Sequence, residues 1–206
     1  MSFPQNLGHI ALRYNDLAEQ NCCLSCGGAI DLAAAQPGET CLDLGSGRGD
    51  DVIRLAEQVG PTGRAVGIDT AEAMIRRARR TAEKLGATNV EFHESAFDAL
   101  PLPKNSIDLV ISNCSINHAA DKDGVWREIF RVMRPGGRFV VSDIYATDAV
   151  PEMYRNDPEA VAECWAGAVT KNVYLASITK VGFVELSIRE ESAPYPKGKI
   201  EVVSFT

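Results

Sequence analysis

Short apolar runs alternate with amphipathic stretches along most of this chain, and that alternation constrains the fold more than any other feature. Residues 40–44, 65–68, 90–93, 107–112 and 138–142 have the length and the branched or aromatic content of strands. Residues 51–58, 71–85 and 122–133 carry helical periodicity between them. Strand and helix alternating at this spacing build βαβ units, hence a mostly parallel sheet with helices on both faces. Gly136-Gly137 after Arg134-Pro135 predicts a tight turn into the fifth strand. Beyond it the pattern predicts helices over 157–169 and 173–181 and two last strands over 183–189 and 199–205, a seven-stranded sheet in all. With 206 residues and no repeat or low-complexity linker, residues 1–206 read as one domain, of which 1–36 form an N-terminal helical cap.

The first strand runs straight into Asp43-Leu44-Gly45-Ser46-Gly47-Arg48-Gly49-Asp50. Glycines there let the backbone turn sharply and approach a ligand, and the carboxyl end of the first strand is where open α/β sheets bind nucleotides. The spacing is G-x-G-x-G; a dinucleotide fingerprint wants G-x-G-x-x-G, and position 50 is Asp. Asp69 closes the second strand, where a carboxylate accepts both ribose hydroxyls of an adenosine. Asp43 and Asp50 flank the loop with negative charge, which serves a pyrophosphate poorly and a cation well.

The balance of 21 Lys and Arg against 28 Asp and Glu gives a net charge of -7, so no global positive field draws nucleic acid or anionic lipid. No run approaches the roughly 18 apolar residues of a membrane span, and the start lacks the basic-then-apolar form of a signal peptide. The expected location is the cytosol. In that reducing compartment the six cysteines, at 22, 23, 26, 41, 114 and 164, are thiols with separate jobs rather than three structural disulfides.

The stretch from Asp43 to Asp69 resembles motif I and its acidic partner in class I S-adenosylmethionine (SAM) methyltransferases. The likeness continues through Ala99-Leu100-Pro101-Leu102-Pro103, Ile107 to Asn113, and Arg131 to Arg138. It implies the Rossmann-like α/β fold of that class and a SAM site. Gly45 and Gly47 would approach the methionine end, Asp69 would hold the ribose, and Ser95, Ala96 and Phe97 would border the adenine. Asp43, Ser46, Thr70 and Asn113 complete the implied cofactor set. The acid usual after the third strand is missing, since the sequence reads His93-Glu94-Ser95-Ala96.

Three cysteines lie in segments that resemble arsenite methyltransferases: Cys26 in Cys22-Cys23-Leu24-Ser25-Cys26-Gly27-Gly28, Cys114 in Asn113-Cys114-Ser115-Ile116-Asn117, and Cys164 in Glu163-Cys164-Trp165-Ala166-Gly167. That resemblance implies As(III) as substrate, bound by Cys26, Cys114 and Cys164 as ligands and catalytic groups. It also implies an external thiol reductant, of glutathione or thioredoxin type, that reopens a transient protein disulfide. The chemistry agrees. Trivalent arsenic is soft and thiophilic and keeps a lone pair opposite three sulfur ligands, so that lone pair can attack the sulfonium methyl without a general base. Cys114, at the end of the fourth strand, falls where a thiolate faces the methyl group, and the sulfonium would lower its pKa. Cys26 on the cap can close the site as part of a lid.

Other readings compete residue by residue. Cys41, inside an apolar strand, reads as a small core hydrophobe. Cys23-Leu24-Ser25-Cys26 is also a C-x-x-C, open to a redox pair or half a zinc site, and the roles of Cys22 and Cys23 stay open. Arg76, Arg77, Arg79 and Arg80 read as a solvated helix face. His118, four residues beyond Cys114, is either a loop histidine or a base, acting on a thiol or on a conventional acceptor. Two further functions therefore stand beside arsenic methylation: a SAM methyltransferase of another small molecule with an O-, N- or C-acceptor and His118 as base, and a non-catalytic arsenic or zinc binding module.

Overall fold

The computed structural model describes residues 4–19 and 27–206. Its seven-stranded sheet has the order β3-β2-β1-β4-β5-β7-β6. Strands β1 (Thr40–Leu44), β2 (Arg64–Asp69), β3 (Val90–Glu94), β4 (Ile107–Asn113) and β5 (Met133–Ala146) pair in parallel, while β6 (Tyr195–Lys197) and β7 (Ile200–Phe205) form an antiparallel hairpin on the β5 edge. The strand order reverses between β1 and β4, so a crevice opens outside their carboxyl ends, as expected of a doubly wound sheet.

Period-two alternation splits the core between the faces. Leu42, Leu44, Val66, Ile68 and Val110 point to one side, against α5 (Lys122–Val132) and α8 (Lys171–Lys180). Cys41, Ala65, Leu109 and Ile111 point to the other, against α2 (Ala29–Ala33), α3 (Asp50–Val59) and α4 (Glu72–Leu85). Trp126 anchors the first side, fully buried against Phe139, Tyr174 and Phe183; truncating such a ring to alanine costs about 3–5 kcal/mol. Cys41 is fully buried, and burial pushes its thiol up to about 12, so it is an inert core residue as its apolar strand implies.

The cap helix α1 (Pro4–Leu17) lies across the crevice. Ile10 packs into one cluster with Val161, Cys164 and Trp165, and Ala18, just past the helix, packs on Ala71 and Met74. Arg48, from the glycine loop, donates to the carbonyls of Leu17 (2.6 Å) and Ala18 (3.2 Å), satisfying acceptors that a helix end leaves open. Asn15 accepts from the N–H of Ala73 at 2.9 Å. The arginine run on α4 is therefore more than a solvated face. Arg77 and Arg80 both hold Glu19 of the cap, Arg79 donates to the carbonyl of Phe92, and Arg76 pairs with Glu72.

Three predicted elements differ. The helix expected over 157–169 is two pieces, α7 (Pro158–Ala162) and a 3-10 turn at Trp165–Gly167, after the short α6 (Glu152–Arg155). Asp157 caps α7, but Cys164 takes a left-handed φ of +70° and breaks the register. Residues 183–189 form no strand: Glu185 is left-handed at φ +57°, which breaks the alternation, so Phe183 lies on the core with Leu186 and Ile188 while Val184 is exposed. The strand hydrogen bonds pass instead to β6 and β7. Strand β5 starts at Met133, ahead of Gly136-Gly137, and those glycines sit in a register shift between the pairs Ile107–Met133 and Leu109–Arg138. No helix among the described residues is long and apolar enough to cross a membrane.

Candidate active site

A cavity of about 790 Å³ fills the crevice between the carboxyl ends of β1, β2 and β4 and the cap, a volume within the usual range for small-molecule sites. The glycine loop forms its floor. Gly45 and Ser46 both donate to the carbonyl of Ile68, at 2.8 and 2.9 Å, which folds the loop back over β2. Gly45 has φ +83°, and a β-carbon on it would fall 1.9 Å from Ser115 Oγ. Gly47 has φ +51° with nothing within 4 Å of the place its β-carbon would take, so its backbone is bare to the cavity. Its N–H donates to Asp69 Oδ2 at 2.9 Å, and that of Ala71 to Oδ1 at 2.9 Å, which aims the carboxylate into the crevice.

Acid dominates this end. Asp43 is almost wholly buried, and burial first, then Asp51 and Asp69, raise its pKa well above the carboxylate range. Burial also raises Asp51 and Asp69, against Arg54 in the one case and the N–H groups of Ala71, Gly47 and Thr70 in the other. A cation in the cavity would lower the cost of ionising all three. Asn113 ties the end of β4 to the same corner: its amide accepts from Ala29 N–H (3.1 Å) and donates to Asp51 (3.0 Å). Ser46 Oγ is buried in the wall without a hydrogen-bond partner among the described residues.

Of the implied cofactor residues, Asp43, Gly45, Ser46, Gly47, Asp69, Thr70, Ala96, Phe97 and Asn113 line this cavity. Ser95 does not: its hydroxyl turns back to the carbonyls of Ala96 and Ala99, so its role is to fold the loop. Asp98 reaches the wall instead, an acid three residues beyond the position where the sequence lacks one. Chain distance alone could not rank it above its neighbours, because only the turn at Ala96–Ala99 brings it inward.

Cys114 and Cys164 stand together at the other end of the cavity. Cys114 follows β4 with φ +52°, its N–H donating to the carbonyl of Ser142 at 2.8 Å. The sulfur of Cys164 lies 2.9 Å from the Cys114 carbonyl and 2.9 Å from His118 Nε2. Both cysteines are left-handed without being glycine, a conformation that costs about 1–3 kcal/mol and collects at functional sites. His118 also meets Tyr14 of the cap, Nε2 to Oη 3.2 Å, with the rings edge to face. Burial holds His118 neutral by pulling its pKa down to about 4, with Lys122 and Arg13 acting in the same direction. Sequence reasoning missed the cap residues Arg13 and Tyr14, whose approach is a long-range packing outcome.

Cys22, Cys23 and Cys26 lie outside the described residues. Gly27, next in the chain, lines the cavity; a β-carbon there would fall 2.4 Å from that of Ser142. Among the described residues no three His, Cys, Asp or Glu side chains converge as ligands for a metal ion.

Comparison with known proteins places the chain among methyltransferases. The arsenite methyltransferase of Halobacterium salinarum is 41% identical over 174 residues, covering 84% of this chain and 44% of that protein. The mouse arsenite methyltransferase is 37% identical over 69% of this chain and 40% of its own length. The ubiquinone/menaquinone biosynthesis C-methyltransferase of Escherichia coli is 35% identical over 54% of this chain and 45% of its own. The chain thus spans less than half the length of these curated relatives. Among solved structures, the arsenic(III) S-adenosylmethionine methyltransferase of Chlamydomonas reinhardtii superposes with a TM-score of 0.78 at 29% identity, covering 99% of this chain and 73% of that one. Residues 35–182 match the model of the methyltransferase domain, and with the strand order and the glycine loop in place at the head of that span, the chain belongs to the methyltransferase domain family.

Proposed function

We propose that this protein transfers a methyl group from SAM to trivalent arsenic held by Cys26, Cys114 and Cys164. The observation that carries the reading is the meeting of Cys164 with Cys114, 50 residues apart in sequence, on the wall of the cavity that the glycine loop floors. The residues present fit SAM. Gly47 leaves open space, Ser46 offers a buried hydroxyl without a partner among the described residues, and Asp43, Asp51 and Asp69 form a corner that a cation relieves. Asp69 would hold the ribose, the glycine loop the methionine end, and Ala96, Phe97 and Asp98 the adenine side. When bound, SAM supplies an electrophilic methyl on a sulfonium, which the arsenic lone pair takes.

The chain's own groups prepare the acceptor. Arsenite exchanges hydroxide for thiolate, each thiol proton leaving with a hydroxide as water, and three sulfurs leave the lone pair on the opposite face. The two cysteine backbones are fixed by their own N–H groups, Cys114 donating to the carbonyl of Ser142 and Cys164 to that of Val161, so these two sulfurs approach already oriented. The cap side chains Ile10, Tyr14 and Leu17 exclude water above them. An external thiol of glutathione or thioredoxin type then reopens any protein disulfide left by reduction of the methylated arsenic, which suits a reducing compartment such as the cytosol.

Incubation with SAM, arsenite and a thiol reductant is expected to give methylated arsenic, and Cys114→Ser to abolish it; no methylarsenical under reducing conditions overturns the reading. The alternative, an O-, N- or C-acceptor with His118 as base, draws on the C-methyltransferase relative and on the buried neutral imidazole. Turnover that survives replacement of the cysteines and is lost in His118→Ala would establish it instead.

A further inference from the structure

A second cavity, of about 500 Å³, lies behind the first. The segment from His118 to Asp121 lines both, so the two share a wall one strand of chain thick. Most of the second cavity is apolar, faced by Val161, Ala166, Val169 and Val173. Its polar groups are unevenly paired. The two acids on its rim are engaged: Asp121 accepts from the N–H of Gly124 and from Arg127, and Asp123 pairs with Lys180. Lys122 points at carbonyls alone, 3.2 Å from that of Ala119 and 3.4 Å from that of Asn117, and among the described residues no carboxylate lies within 4 Å of its ammonium. Arg155, from the end of α6, brings a second cation to the same cavity.

Three further observations point the same way. Lys122 is the first residue of α5, whose N-terminal partial charge adds to the positive potential. Burial, with Arg155 beside it, pulls the Lys122 pKa down to about 8 against the opposing Asp143. Asp143 is itself taken by Asn117, Ile144 and Tyr174, so it cannot turn outward to pair with the ammonium. A partly buried, crowded pair of cations in an apolar cavity is costly unless an anion joins it.

We propose that this second cavity binds a small organic carboxylate with a branched apolar arm, its carboxylate between Lys122 and Arg155 and its arm against Val161, Val169 and Val173. The site is separate from the methyl-transfer cavity and does not depend on which acceptor that cavity takes. Through His118 its occupant touches the wall that positions Cys164.

The test is a titration of the full chain with isovalerate, followed by amide NMR and calorimetry, with isovaleramide and inorganic phosphate as controls. Saturable binding in the millimolar range is expected, with shifts at Ala119, Val161 and Val173. Lys122→Met and Arg155→Gln are each expected to weaken it by about tenfold, the loss of one charge-assisted hydrogen bond. The amide should bind at least as poorly as those variants. Absence of saturable binding, or binding unchanged in Arg155→Gln and in the amide, overturns the proposal. Phosphate binding more tightly than isovalerate also overturns it, since the apolar arm would then contribute nothing. Arg155 sits at the end of a short helix with an exposed face, so its variant remains informative if Lys122→Met does not fold.

Discussion

The two ends of the cavity floored by the glycine loop solve the same backbone problem in opposite ways. At the cofactor end, every left-handed residue of the loop is glycine: Gly45, Gly47 and Gly49, with φ of +83°, +51° and +83°. At the acceptor end, the left-handed positions are Cys114 and Cys164, with φ of +52° and +70°. Glycine would relieve both at once, because only the β-carbon makes that conformation costly. On the proposed function the cofactor is recognised by the backbone itself, so side chains are removed there. On the proposed function the acceptor is held by sulfur, so the chain would retain the strain there, and packing compensates: Cys164 lies in a cluster with Ile10, Val161 and Trp165, and the Cys114 N–H and carbonyl are both hydrogen-bonded.

Substitutions can break this contrast, and Gly45→Ala should do most damage. Its β-carbon meets Ser115 and its φ is unfavourable, so a loss of about 2–4 kcal/mol of unfolding free energy in urea titration is expected, with SAM binding abolished in calorimetry. Gly47→Ala points into open space; it should lose about 1 kcal/mol yet equally block the cofactor, separating fold from ligand.

His118 tests the acceptor end through pH. Its folded pKa of about 4 lies below the ordinary 6.5, so the unfolded chain takes the proton first. The stability it contributes is complete above pH 6.5 and is lost as the pH falls toward 4, a change of roughly 2–3 kcal/mol. Burial sets that window, opposed by the backbone of Val161 and reinforced by Lys122 and Arg13, while Tyr14 and Cys164 also face the ring. Asp143, raised to about 6 by burial, runs the other way, gaining stability as the pH falls from 6 toward 3.8. Subtracting His118→Leu from the parent protein isolates the histidine; unchanged acid unfolding in that variant would refute the assignment.

A smaller effect sharpens the comparison directly. Cys114→Gly should be more stable than Cys114→Ala by about 1 kcal/mol, the reverse of the usual order, because φ is +52°. Equal midpoints would mean the loop relaxes once the sulfur is gone. The smallest change is expected from Glu19→Gln, whose pairs with Arg77 and Arg80 are exposed; its melting temperature should match the parent within error at physiological salt.

How much was legible in the sequence follows from the range of each cause. Strands 40–44 and 107–113, the helix at 72–85 and the turn at Gly45–Gly49 are set by neighbours a few residues away, through alternation and the β-carbon. Beyond Gly136 the reading weakens. Residues 183–189 carry a strand's alternation in sequence without its ladder, because Glu185 turns left-handed. The helix over 157–169 fails at Cys164, where Gly167 backs so closely onto Asn117 that a β-carbon would fall 1.9 Å from its carbonyl.

The sequence by itself thus determined the five parallel strands, the glycine loop with Asp69, and the buried inertness of Cys41, since each depends on local chemistry or on period two. The tertiary structure alone decided that Cys114, Cys164, His118 and Tyr14 form one group, that Ser95 turns away while Asp98 reaches the cavity, and that Lys122 and Arg155 share a second one. The pairs Lys122–Arg155, Cys114–Cys164 and Tyr14–His118 lie 33, 50 and 104 positions apart. Their energies come from desolvation and packing across the fold, and nothing in a short window of sequence carries that information.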